Sequence, residues 1–144
     1  MKIAFGCDPN AQEFKLTLME TVKEFGHEVV DYGSDDPIYA NTAIKVAEEV
    51  AAGVCDRGIV VCGTGIGVSI AANKVKGAYA ACIHDIYQAQ RAELSNHANI
   101  ITMGSQVLGI EVAKMMVKEY LSCTFDPNGR SGAKVQAIVD YENK

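Results

Sequence analysis

Cys62 closes an apolar stretch that begins at Arg57 and is followed by glycines at 63, 65 and 67, in the run Cys62-Gly-Thr-Gly-Ile-Gly67. Glycines at alternate positions between a strand and a helix let the main chain approach a ligand closely, and the free N–H groups of the first helical turn suit an anionic oxygen. A cysteine just ahead of that turn feels the positive end of the helix, which favours the thiolate and would make Cys62 available as a base. The competing reading is a buried structural thiol. A dinucleotide site fits less well. The spacing is G-x-G-x-G rather than G-x-G-x-x-G, and no acidic residue is well placed about 20 residues further on.

Other residues of the right type stand near the same kind of boundary. Asp8 follows the first apolar run and could bond a sugar hydroxyl, although an N-cap or turn aspartate is the plainer role. Asn96 and Asn99 lie in the polar loop Leu94-Ser-Asn-His-Ala-Asn99. Either amide could donate to a developing enediolate oxygen, with turn chemistry the alternative. Asn128-Gly-Arg130 is a turn presenting an arginine, and Lys134 follows one helical turn later. Two cations so spaced can clamp a phosphate, or can simply be solvated helix charge.

The elements that must position these groups alternate short apolar runs with amphipathic stretches, the pattern of βαβ units feeding a parallel sheet. Strands are expected over 2–7, 27–32, 57–62, 78–83 and 99–103. Helices are expected over 12–25, over a stretch with Ala43, Val46, Ala47 and Val50 on one face, over 63–75, 85–94 and 109–121, and over 131–141. The resulting expectation is an α/β fold, a three-layer Rossmann-like sandwich of about five parallel strands, spanning residues 1–144 as a single domain. In such a sheet ligands bind at the carboxyl ends of the strands. That rim holds Cys7 to Asn10, the Cys62 turn, His84 and Asp85, and Gly104 to Gln106.

Bulk properties narrow the function. The formal charge is -5 and the basic residues are scattered, which argues against a nucleic-acid or anionic-membrane partner. No apolar run reaches the roughly 18 residues that a membrane span requires. Five cysteines with wide spacing and no C-x-x-C pair suit neither a disulfide framework nor a zinc site, so free thiols in the cytoplasm and no bound metal are expected.

Taken together, the chain resembles the type B ribose-5-phosphate isomerase and galactose-6-phosphate isomerase family. The resemblance runs over essentially the whole chain. It rests on Ile3-Ala-Phe-Gly-Cys-Asp8, on Asp56 to Lys74 with the glycine turn inside it, and on Ala98-Asn-Ile100 followed by Met103-Gly-Ser. It implies a homodimer, with a tetramer as the alternative, whose active sites lie between subunits. It also implies aldose–ketose interconversion of a sugar or sugar phosphate through a cis-enediolate, with no metal or organic cofactor. Cys62 matches the base that moves a proton between C1 and C2. Gly63, Thr64, Gly65 and Gly67 would supply backbone donors, joined by Asn96, and Asp8 would hold the sugar.

The departures from the family pattern are equally specific. Pro9 stands where a histidine follows the first aspartate, and Ser95 replaces the ring-opening histidine, with His97 two places on as a stand-in. Gln106 and Ser131 replace an arginine and a histidine at the phosphate end, where Arg130 is kept and Lys134 replaces a further arginine. Tyr79 replaces an arginine in the fourth strand. Proton transfer is therefore expected to be intact and the substrate to differ from ribose 5-phosphate; an open-chain substrate such as a tetrose phosphate, or a sugar handled differently at its far end, satisfies both. The alternatives are a non-catalytic sugar-binding or partner subunit of a heteromeric isomerase, and a nucleotide-binding module.

Overall fold

Two runs of consecutive apolar residues, Lys2–Cys7 (β1) and Arg57–Cys62 (β3), pair side by side at the centre of the sheet, where both faces are covered by helices. The computed structural model describes residues 1–144. The remaining strands are β2 (Glu28–Asp31), β4 (Ala80–Cys82) and β5 (Ile100–Gly104), and the order across the sheet is β2-β1-β3-β5-β4 with every pair parallel. From β1 the chain moves one way to β2 and then crosses back to β3. The carboxyl ends of β1 and β3 therefore form the switch point where an open α/β sheet has its crevice.

Helices α1 (Gln12–Glu24), α4 (Ile86–Leu94) and α5 (Ile110–Ser122) cover one face; α2 (Tyr39–Ala51) and α3 (Ile66–Ala72) cover the other. Strand alternation sorts the core accordingly. Ile3, Phe5, Ile59, Val61, Ile101 and Met103 pack against Leu18, Val22, Met116 and Tyr120, while Ala4, Val60, Cys62 and Ile100 pack against Ala43, Val46, Ala47 and Val68. Each fully buried aliphatic or aromatic side chain contributes about 1.5–3 kcal/mol of transfer free energy, which is what holds the helices in place.

β2 is one residue shorter at each end than its sequence pattern predicts, and β4 and α3 depart further. β4 begins at Ala80 rather than 78, because the Tyr79 N–H is taken by the Asn99 side chain at 2.8 Å instead of by a neighbouring strand. The Asn73 side chain then clasps the Ala80 main chain, accepting its N–H at 2.8 Å and donating to its carbonyl at 2.9 Å, and this ends α3 at Ala72 rather than near 75. Helix α6 (Gly132–Glu142) buries none of its residues. It is tied down at its end, where the Glu142 carboxylate accepts the Tyr79 hydroxyl and, at 3.0 Å, the Gly77 N–H. No helix is long and apolar enough to cross a membrane, and all five cysteines are unpaired.

Candidate active site

β3 delivers Cys62 to the carboxyl edge with its side chain on the α2/α3 face, 7% exposed. The chain then turns so that the Gly65 N–H donates to Cys62 Sγ at 3.1 Å. An N–H aimed at sulfur compensates the charge a thiolate carries, and it also fixes the direction of the sulfur's remaining lone pairs.

Gly65 has φ +81°, and a β-carbon there would lie 2.7 Å from the main chain of Met103. That conformation delays α3 until Ile66, leaving Gly63, Thr64 and Gly65 as an open turn rather than as helix. The turn is clamped on β5 from below by three bonds: Ser105 N–H to Cys62 O (2.8 Å), Gln106 N–H to Gly63 O (3.0 Å) and Thr102 Oγ1 to Gly65 O (2.8 Å). Thr64 is exposed above it, its hydroxyl accepting the Ile66 N–H at 3.2 Å. The Cys62–Gly67 run is therefore a rigid cradle of amides beside a sulfur, suited to an oxyanion next to a base.

Asp8 arrives from the neighbouring strand. The Asp8 N–H donates to Val61 O at 3.0 Å, which sets Asp8 next to the end of β3 on the carboxyl rim. One of its oxygens caps the short 3-10 turn Pro9–Ala11 through the Asn10 N–H at 2.9 Å, so the capping role foreseen as an alternative occupies that oxygen.

Cys7, one residue earlier, points to the opposite face. Burial pushes its thiol up to about 11, against the opposing pull of Lys15, so it stays protonated and is no base. Lys15 itself is fully buried and bonds Asp31 Oδ1 at 2.7 Å beneath the end of β1. Sequence reasoning missed it, although its spacing with Leu18 and Val22 puts it on the buried stripe of α1.

Tyr39, the first residue of α2, was also missed. Its phenol abuts Gly67 so closely that a β-carbon at 67 would collide with Oη.

The other candidates lie elsewhere in the same chain. The loop holding Ser95, Asn96 and His97 enters β5 at its amino end, where Gly58 N–H donates to Asn99 O at 2.9 Å. Cys62 stands four residues further along the neighbouring strand, a separation of about 13 Å along the sheet.

Ser95 Oγ takes the Arg91 Nε–H at 2.6 Å. His97, at φ 50°, pairs through Nδ1 with the buried Glu93 at 3.1 Å and stacks on Phe125 at 4.6 Å. Glu93 also accepts the Phe125 N–H at 3.0 Å, so His97 pins the segment that follows α5. Asn99 is occupied by Tyr79 N and, at 2.9 Å, Gly77 O, which makes it structural. Asn96 is exposed.

Arg130 and Lys134 are exposed as well, and Arg130 belongs to the turn before α6 rather than to its first helical turn, so the two do not share a helix face. One chain thus assembles Cys62, Gly63, Thr64, Gly65, Gly67 and Asp8. It does not bring Ser95, Asn96, His97, Arg130 or Lys134 to them. No cluster of three or more His, Cys, Asp or Glu suited to a metal ion occurs in the chain.

Residues 3–138 match the family model for ribose/galactose isomerases. The chain is 46% identical to ribose-5-P isomerase B of Listeria innocua over 100% of this chain and 99% of that protein. It is 43% identical to D-erythrulose-4-phosphate isomerase 2 of Mycolicibacterium smegmatis over 99% and 97%. The solved structure of Clostridium thermocellum ribose-5-phosphate isomerase B superposes with a TM-score of 0.93 at 40% identity, covering 99% of this chain and 98% of that one. The sulfur and amide cradle is therefore set in a fold shared end to end with sugar-phosphate isomerases, and the chain belongs to the ribose/galactose isomerase family, with aldose–ketose isomerisation as its activity.

Proposed function

We propose that this protein interconverts the aldose and ketose forms of an open-chain four-carbon sugar phosphate, of the D-erythrulose 4-phosphate kind, through a cis-enediolate. The observation that carries the substrate is that neither position at which the family pattern has a ring-opening or neighbouring histidine offers a free acid–base group. Pro9 follows Asp8, and the Ser95 hydroxyl is held by Arg91. A tetrose phosphorylated on O4 cannot close a furanose ring, because the oxygen that would attack C1 is esterified. Such a substrate arrives open and needs no ring-opening step, and the name of the Mycolicibacterium relative fits this substrate class.

Cys62 takes the hydrogen from C2 of the aldose. The C–H electron pair becomes the C1–C2 double bond and the carbonyl π pair moves onto O1. Returning that hydrogen to C1, with the hydroxyl proton passing from O2 to O1, completes the ketose. The amides of Gly63, Thr64 and Gly67 hold the enediolate oxygens, those of Gly65 and Ile66 being engaged by Cys62 Sγ and Thr64 Oγ1, and Asp8 orients a substrate hydroxyl. General base catalysis of this kind contributes about 10²–10⁴ in rate, with oxyanion stabilisation adding to it.

The site is completed in a homodimer. Asn96 of the partner subunit adds a donor to the enediolate, and Arg130 and Lys134 of the partner subunit meet the phosphate. The same-chain separation of these groups from Cys62 supports this arrangement. The working compartment is the cytoplasm, where unpaired thiols remain reduced.

The test is isomerisation of D-erythrulose 4-phosphate and ribose 5-phosphate side by side. A kcat/KM at least tenfold higher for the tetrose is expected, and the reverse preference would overturn the substrate assignment.

A further inference from the structure

Six tyrosines occur in the chain, and their hydroxyls are used very differently. Tyr32, Tyr79 and Tyr120 each donate inside the chain, to Glu49, Glu142 and the Ala98 carbonyl. Tyr87 and Tyr141 are more than two-thirds exposed and face water. Tyr39 is partly exposed, at 38%, and its ring rests against Gly67, yet its hydroxyl has no hydrogen-bond partner within the chain.

Its position is fixed from behind. The Asp36 carboxylate accepts the Ile38 N–H at 2.8 Å and the Asn41 Nδ2–H at 3.0 Å, locking the turn that starts α2, and those bonds hold the Asp36 carboxyl below its ordinary range.

Its direction follows from the sheet. α2 and α3 both begin at the carboxyl edge and cover the same face, and Cys62 points to that face. The hydroxyl end of the ring meets Gly67: a β-carbon there would collide with Oη, Cζ and Cε1 alike. Glycine at 67 is thus what lets a phenol hydroxyl reach the amide cradle from the side opposite β5.

We infer that Tyr39 is a catalytic residue whose hydroxyl donates to an enediolate oxygen held over the Gly63–Gly67 turn. This rests on the isomerase reading but not on the four-carbon substrate. A donor set at the mouth of the cradle by its contact with Gly67, and with no competing partner in the chain, has little to reorganise when negative charge develops. Because a hydrogen bond to a charged oxygen is stronger than one to a neutral hydroxyl, its effect falls on the transition state rather than on ground-state binding.

The test is Tyr39→Phe in the full chain. kcat and KM are measured on whichever of D-erythrulose 4-phosphate and ribose 5-phosphate the native protein converts faster, together with the thermal midpoint. The expected result is a kcat lower by about 10- to 100-fold with KM and thermal midpoint unchanged. Tyr39→Leu, which removes the ring as well, should lose at least as much. Native kcat in Tyr39→Phe overturns the inference, and so does a loss confined to KM. Preference of the native protein for ribose 5-phosphate would sink the tetrose assignment and leave this test standing on that substrate.

Discussion

The Cys62 sulfur and the Gly65 amide are joined by a 3.1 Å hydrogen bond, so the turn is wound around the atom proposed to move the proton. The bond depends on φ +81° at Gly65 and on the absence of a side chain there, since the Met103 main chain lies directly underneath. The geometry of the base and of the amide cradle are therefore one feature, and a change to the turn should damage both together.

Gly65→Ala separates that coupling from simple packing. The substitution meets rigid backbone at 2.7 Å and an unfavourable φ, and a strained left-handed residue costs on the order of 1–3 kcal/mol. Urea unfolding should show a loss at the upper end of that range, with turnover reduced beyond detection. Gly67→Ala meets the Tyr39 ring rather than main chain, so its stability should fall by less than half as much, although the phenol is displaced.

The separation of Asn96 from Cys62 within one chain leads to a complementation experiment. Cys62→Ala and Asn96→Ala homodimers should each be nearly inactive. Unfolded together and refolded as a mixture, half of the dimers pair one of each, and one of their two sites is intact, so roughly a quarter of native activity should return. No recovery above the parent variants would mean that the two residues do not work in a shared site.

How far the sequence reveals this arrangement depends on where each residue lies relative to the sheet. β1 and β3 match their expected limits because central parallel strands are apolar on both faces, and every residue from Ile3 to Cys7 and from Arg57 to Cys62 is buried. β4 is an edge strand, where side chains such as Asn99 and Asn73 compete for the main chain, and its pattern overstates its length. Cys62 and Asp8 stand out in the sequence because they end or follow strands, which puts them on the carboxyl rim. Asn96 precedes a strand, and in a parallel sheet such residues lie at the amino edge, so chain order alone separates it from the Cys62 cradle. Lys15 and Tyr39 were hidden for a different reason: each sits on a helix and contributes through what it faces across the molecule, which no local spacing records.

Helix α6 is held by a contact whose pH dependence can be worked out. The Tyr79 hydroxyl, then the Gly77 N–H, keep the Glu142 carboxyl below the usual carboxylate range. A depressed folded value means that the stabilisation is fully present above the unfolded value, about 4.3, and is lost as pH falls below it through the folded value. On the alkaline side, burial and then Glu142 push the Tyr79 phenol up to about 12. For that raised group the contribution is present below the unfolded value of about 10 and fades as pH rises towards the folded one. Hydrogen exchange of the α6 amides, corrected for intrinsic rates, should be slow at pH 6 and fast at pH 3.5. Glu142→Gln should remove most of that difference.

Transfer of the hydrogen between C1 and C2 by Cys62 can be followed as exchange of that hydrogen with deuterated solvent by NMR, using D-erythrulose 4-phosphate with the native protein and with Cys62→Ser. The native protein should incorporate deuterium during isomerisation, and Cys62→Ser should lose about 10²–10⁴ of the exchange rate while keeping its fold. Exchange at the native rate in Cys62→Ser would assign the proton transfer to another group and contradict the mechanism.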